Sequence, residues 1–111
     1  MPRSPRTLAW SPPTDLYEVA GAVVVRVELA GLQPGDFTIT VDKRHLSIQG
    51  VRTDTQEERE YHQLEINIGE FLIELEIPSP VEIEKIAAEY SEGFLKIVLP
   101  KSVPQRVRMS K

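Results

Sequence analysis

The chain has 111 residues, of which 41% are hydrophobic and 27% charged, and its formal net charge is -4. Its length suits one soluble domain with a sizeable core, and no apolar run approaches the roughly 20 residues of a membrane span. The absence of cysteine excludes disulfides, thiol nucleophiles and thiolate metal sites, and favours a reducing cytoplasmic location. No apolar segment typical of a secretory signal follows the first arginines.

The charges divide along the chain. Residues 1–14 and 101–111 carry six basic side chains and no acidic one, whereas residues 15–100 carry all 17 acids against seven bases. A nucleic-acid surface needs clustered Lys and Arg on the folded body. We therefore expect no nucleic-acid partner, and we interpret the basic ends as solubilising segments.

Residues 1–14 contain four prolines, which exclude a regular helix or a central strand. The bulky apolar side chains of this arm are Leu8 and Trp10. They are expected either to dock on the folded body or to contact a partner, and docking is the more common outcome.

Alternating apolar and polar residues predict strands through the first half of the chain. In residues 22–29, Val23, Val25, Val27 and Leu29 share one face. The other predicted strands lie at 15–19, 37–42 and 46–50. Residues 52–60 contain no large apolar residue and predict a long exposed loop. A loop of this length in a small β domain usually has a function or is disordered.

Strands are also predicted at 61–68, 71–77 and 94–100. Residues 83–92 stay open, because Ile83, Ile86, Ala87 and Tyr90 have helical spacing while Ile86, Ala88 and Tyr90 fit a strand. Many short alternating strands separated by turn residues predict an all-β sandwich.

No catalytic, cofactor or metal site is predicted, and an enzyme is not expected. His45 lies beside a turn and His62 beside the acidic loop, so both are interpreted as surface residues. The glycines form no phosphate-binding motif, and the residues around Ser91 do not resemble a nucleophile elbow.

The stretch from Ala88 to Lys101 reads A-x-x-x-x-G-x-L, an apolar strand and Pro-Lys. It resembles the signature of the small heat-shock protein (Hsp20, α-crystallin domain) family. Five further stretches resemble that family in the same order: 15–18, 27–32, 46–52 (L-x-I-x-G-x-R), 61–71 and 75–78. Ala30 stands where the family usually has proline, and Ile73 stands where a basic residue is usual.

The resemblance implies an immunoglobulin-like antiparallel β-sandwich over residues 15–101, a short arm at 1–14 and a C-terminal extension at 102–111. In bacterial and plant members a strand within the long loop pairs with the first strand of a partner. The dimer-interface residues implied here are Leu16, Tyr17, Val19, Arg59, Glu60, Tyr61 and His62. The alternative is an acidic loop without strand exchange.

The family also has a groove that accepts apolar segments, including the I-x-I tail of a neighbour. The residues implied as its lining are Ile39, Val41, Ile86, Ala88 and Tyr90, and each could equally be ordinary core. The tail of this chain offers Val107 and Met109 in place of the two isoleucines.

The function implied by the resemblance is that of an ATP-independent holdase chaperone, which binds partly unfolded proteins and suppresses their aggregation. Its partners would be such clients and a second copy of the chain in a strand-exchanged homodimer, with larger homo-oligomers also allowed. No cofactor is implied. The alternative is a p23-like co-chaperone or protein-interaction β-sandwich module without its own holdase activity.

Overall fold

A computed structural model describes residues 10–53 and 69–102 of the chain. These residues form two antiparallel sheets, with strand orders β1-β2-β7-β6 and β3-β4-β5. The strands are β1 Thr14–Val19, β2 Ala22–Glu28, β3 Phe37–Asp42, β4 His45–Arg52, β5 Gly69–Glu76, β6 Ala87–Ser91 and β7 Phe94–Pro100, with single 3-10 turns at Pro34–Asp36 and Ile83–Lys85. The predicted all-β sandwich is confirmed. No helix within these two ranges is long and apolar enough to cross a membrane.

The centre of the four-stranded sheet follows from alternation in β2 and β7. Val23, Val25 and Val27 pair in register with three buried β7 residues, Leu99, Ile97 and Leu95. Since paired residues in an antiparallel ladder point to the same face, these six side chains form one continuous apolar surface. That surface is half of the core.

The three-stranded sheet supplies the other half. Its inward residues include Leu46 and Ile48 of β4 and Phe71 and Ile73 of β5, all buried. The outward face carries His45, Glu74 and Glu76, in keeping with a sheet that has one wet face. Two apolar surfaces packed against each other make this fold a sandwich.

The structure decides the open prediction for residues 83–92. The chain makes a single 3-10 turn at Ile83–Lys85 and then enters β6, so the helical alternative is wrong. Glu92 and Gly93, with φ of 51° and 83°, form the two-residue turn into β7. Positive φ at both positions is the requirement of the hairpin turn that matches strand twist.

Several predicted strand boundaries move by one or two residues. β4 extends through Arg52, so that residue belongs to a strand and not to the exposed loop. Leu29 lies beyond the end of β2 but stays fully buried. The strand predicted at 61–68 and most of the predicted loop lie outside the described residues.

Candidate functional site

β1 forms one edge of the four-stranded sheet. Its side chains Leu16, Tyr17 and Val19 are 39%, 40% and 47% exposed. Leu16 pairs with the buried Val25 and therefore lies on the inward face, while Tyr17 and Val19 lie on the outward face. Within the described ranges β1 pairs with β2 alone, and an edge strand of this kind can accept a further strand through its free backbone groups.

Two ion pairs hold β1 against its neighbours. Arg26 Nη2 lies 2.9 Å from Asp15 Oδ2, and Lys101 Nζ lies 2.7 Å from Glu18 Oε1. Both pairs are partly exposed, so each adds little stability. They lie near opposite ends of β1 and favour its observed register. The other implied interface residues, Arg59, Glu60, Tyr61 and His62, lie outside the described residues.

The opposite side of the sandwich is bounded by β3 and β6, the edge strands of the two sheets. The rings of Phe37 and Tyr90 meet there, with their centroids 5.8 Å apart. Ile39 and Val41 continue along β3, and Ile86 precedes β6, each half-buried against the core. The structure thus places the predicted groove residues along two facing edges, where four of the five also serve the core.

Ala88 differs from the other four. It pairs with the fully buried Ile97, so its side chain points toward the interior of the sandwich, yet it is exposed. The described part of the facing sheet ends at β3 and leaves this position exposed. We call the surface around this inward-facing but exposed alanine, between β3 and β6, the depression.

Tyr90 also anchors the segment that follows β2. Its hydroxyl donates a hydrogen bond to Leu29 O and accepts one from Leu32 N–H at 3.3 Å. Alternation predicted the apolar contact of this side chain but contained no signal for the two hydrogen bonds. The wall of the depression is therefore tied to backbone about 60 residues away.

The side chain of Trp10 docks on the body, as expected for one of the two arm residues. Its ring meets Phe71 edge-on at 5.5 Å between centroids, and its indole N–H donates to Gly69 O at 3.2 Å. The guanidinium of Arg52 lies 4.3 Å from the centre of the same ring. No pattern in the sequence indicated these three partners of Trp10. Leu8 lies outside the described residues.

His45 is exposed, with its Nε2 3.6 Å from Glu74 Oε2. His62 lies outside the described residues. In the part of the chain that the structure describes, no three His, Asp or Glu side chains are grouped closely enough to hold a metal ion.

The Hsp20/alpha crystallin family model matches residues 15–111. A 17.0 kDa class II heat shock protein of Zea mays is 32% identical over 98% of this chain and 71% of its own length. Small heat shock protein C2 of Rickettsia felis is 30% identical over 87% of this chain and 64% of its own length. The chain therefore spans roughly two thirds of these relatives.

Solved structures show the same fold. Heat shock protein 16.0 of Schizosaccharomyces pombe superposes with a TM-score of 0.78 and 27% identity, covering 91% of this chain and 99% of that one. A small heat-shock protein of Xylella fastidiosa superposes with a TM-score of 0.77 and 28% identity, covering 93% and 99%.

The class that the described residues define is an antiparallel β-sandwich domain with exposed side chains along its edge strand β1. The chain belongs to the Hsp20/alpha crystallin family, that of the small heat-shock proteins. Members of this family are ATP-independent chaperones and not enzymes, and the chain accordingly has a chaperone role.

Proposed function

We propose that the chain is a holdase, which binds exposed apolar segments of partly unfolded proteins and slows their aggregation. The observation that carries this proposal is the depression between β3 and β6, where Ala88 faces inward but remains uncovered. An extended client segment can place alternate side chains against the half-buried Ile39 and Ile86. The edge strands offer backbone hydrogen bonds to the same segment.

The strength of apolar burial indicates reversible binding. Each client side chain that becomes buried contributes about 1.5 to 3 kcal/mol. Association itself costs about 4 to 15 kcal/mol in lost freedom, so little net affinity remains for one site. We expect weak, exchanging contacts that become strong only when several copies act together.

The building block in this proposal is a homodimer in which Arg59, Glu60, Tyr61 and His62 of one copy pair with β1 of the other. The exposed edge beside Leu16, Tyr17 and Val19 supports this arrangement. Larger assemblies would form when Val107 and Met109 of a neighbour enter the depression, in competition with clients. A cytoplasmic location, which the lack of cysteine favours, belongs to the same proposal.

The holdase proposal is tested by light scattering of heat-stressed citrate synthase without nucleotide. The wild-type chain is expected to suppress scattering, and Ala88→Glu should suppress it less because a carboxylate then occupies the depression. Ala87→Glu is the matched control, since Ala87 is the exposed neighbour whose side chain points to the opposite face. Unsuppressed scattering with excess wild-type chain would contradict the proposal.

The dimer proposal is tested by multi-angle light scattering. Tyr61→Asp is expected to shift the mass from dimer toward monomer, because the charge disturbs the exchanged strand. Thr55→Asp, in the same loop but before the proposed strand, is the control. A wild-type chain that is monomeric throughout would support a p23-like interaction module instead.

A further inference from the structure

Two pairs of aromatic rings, which we together call the row, lie across the sandwich from the β1 side to the β3–β6 side. On the β1 side, Trp10 packs edge-on against Phe71, with centroids 5.5 Å apart. On the β3–β6 side, Phe37 packs against Tyr90, with centroids 5.8 Å apart. Phe71 and Phe37 flank the same β4 residue, Gly50, in the register of the three-stranded sheet.

Gly50 is the centre of this row. A Cβ atom at Gly50 would lie 2.9 Å from Phe71 Cζ and 2.9 Å from Phe37 Cβ. Both distances are well below an ordinary van der Waals contact, so the two phenylalanines occupy the space that a side chain would need. Phe71 and Phe37 therefore both border Gly50, and the two aromatic pairs are connected through this residue.

The Trp10 end of the row touches both bases of the long loop. Arg52 and Gly69 are the last register pair of β4 and β5, and we call them the loop bases because residues 53–68, which contain most of the exposed loop predicted from the sequence, connect them along the chain. The Trp10 ring lies beneath the Arg52 guanidinium at 4.3 Å, and its indole N–H donates to Gly69 O at 3.2 Å. A displacement of this ring changes its contact with both loop bases.

The Tyr90 end of the row lies at the depression between β3 and β6. Its ring is half-buried, so a segment entering the depression contacts it directly. The hydroxyl is hydrogen-bonded to Leu29 O and Leu32 N–H. These two bonds restrict outward rotation of the ring and favour its contact with Phe37.

We propose that the row Trp10, Phe71, Phe37 and Tyr90, packed around Gly50, couples occupancy of the β3–β6 depression to the loop bases Arg52 and Gly69 on the opposite side. The inference rests on the proposed binding function of the depression. Close-packed interiors transmit displacement because their side chains have few alternative arrangements. The coupling is reciprocal. If occupancy of the depression changes the equilibrium for docking of Trp10 by some factor, then docking of Trp10 changes the affinity of the depression by the same factor.

Trp10 is the single tryptophan of the chain, so tryptophan emission reports on the surroundings of this one ring, which include both loop bases. A synthetic peptide with the sequence of residues 103–111 contains no tryptophan and serves as the probe. Titration of the wild-type chain with this peptide is expected to shift the Trp10 emission. In Phe37→Leu the row is interrupted, and the peptide should bind with a smaller shift.

Reciprocity gives a second readout. Trp10→Leu is expected to change the Kd of a labelled peptide, measured by fluorescence anisotropy, at least threefold. Phe94→Leu is the matched control, because Phe94 is a partly exposed aromatic residue on the outward face, away from the row. Peptide binding with an unchanged Trp10 emission and equal Kd values in Trp10→Leu and wild type would overturn the coupling while leaving the groove proposal intact.

If the peptide does not bind, the groove proposal fails and a double-mutant cycle decides the coupling. Trp10→Leu and Tyr90→Leu lie on opposite sides of the sandwich, and their effects on the urea unfolding equilibrium should then be non-additive by threefold or more. The control cycle pairs Trp10→Leu with Phe94→Leu. All variants are compared by circular dichroism at one protomer concentration. Additivity within twofold in the first cycle would overturn the inference.

Discussion

The hydroxyl of Tyr90 donates a hydrogen bond to the carbonyl oxygen of Leu29, which precedes it by 61 residues. This bond links β6, one wall of the depression, to the segment that leaves β2. It holds an otherwise irregular stretch in which Gly31 has a φ of 87°. The hydroxyl oxygen of Tyr90 thus helps to position β6 relative to the segment that follows β2.

Tyr90→Phe tests the importance of that hydroxyl. The ring and its contact with Phe37 remain, but Leu29 O and Leu32 N–H lose a partner. We expect the free energy of unfolding to fall by about 1 to 2 kcal/mol, measured by urea denaturation. A stability equal to that of the wild type would mean that water satisfies Leu29 O and Leu32 N–H as well as the hydroxyl does.

Gly93→Ala and Gly21→Ala form a matched pair, because both glycines lie in two-residue hairpin turns with a φ of 83°. A Cβ at Gly21 meets nothing within 4 Å, whereas one at Gly93 lies 3.2 Å from Ala30 Cβ. The free energy of unfolding should fall by about 1 kcal/mol in both variants, because alanine is strained at a positive φ. In Gly93→Ala it should fall by about 1 kcal/mol more, because the contact between the new methyl group and Ala30 must relax. Equal melting temperatures for the two variants would contradict this reading of the turn.

Gly50→Ala should be the most destabilising glycine substitution. The new methyl group would collide with Asp36 O and with the two phenylalanines, and backbone cannot move aside as a flexible side chain can. We expect a loss of about 2 to 3 kcal/mol by thermal or urea unfolding. Gly35→Ala is the control, because a Cβ there meets nothing within 4 Å, and its stability should match the wild type.

Arg44→Met tests a pair of hydrogen bonds made from the turn just before β4 begins. The guanidinium donates to Ile77 O at 2.9 Å and to Pro78 O at 3.0 Å, both in the segment leaving β5. Methionine keeps much of the apolar stem but has no donor. We expect a loss of about 1 to 2 kcal/mol by urea unfolding. Lys43→Met, at the exposed neighbouring turn position, should have less effect.

Deletion of residues 105–111 tests the proposed tail contact. If Val107 and Met109 occupy the depression of a neighbouring copy, the deletion should reduce every species larger than the dimer in native mass measurements. The full-length variant Ser110→Ala should assemble like the wild type. A mass distribution unaffected by the deletion would exclude the tail as an assembly contact.

Alternation in the sequence was sufficient for the strands and the sandwich, because burial of every second side chain is a local property that each segment carries by itself. Val23, Val25 and Val27 faced the core as predicted. The ambiguity at residues 83–92 was also local, and it was decided only when β6 paired with β7.

The order of the strands in the two sheets required the tertiary structure. Alternation does not say that β3 and β6 lie on one side, which only the family resemblance implied through its groove residues, or that Ala88 faces inward where the described strands leave it exposed. The same holds for Trp10 beside Phe71 and Arg52, and for the hydroxyl of Tyr90 on Leu29 O. These contacts join residues about 40 to 60 positions apart, and close packing selects such partners by shape and not by periodicity. The sequence by itself thus determined a β-sandwich of this family, while the packing of its two sheets decided where the open edges and the aromatic row lie.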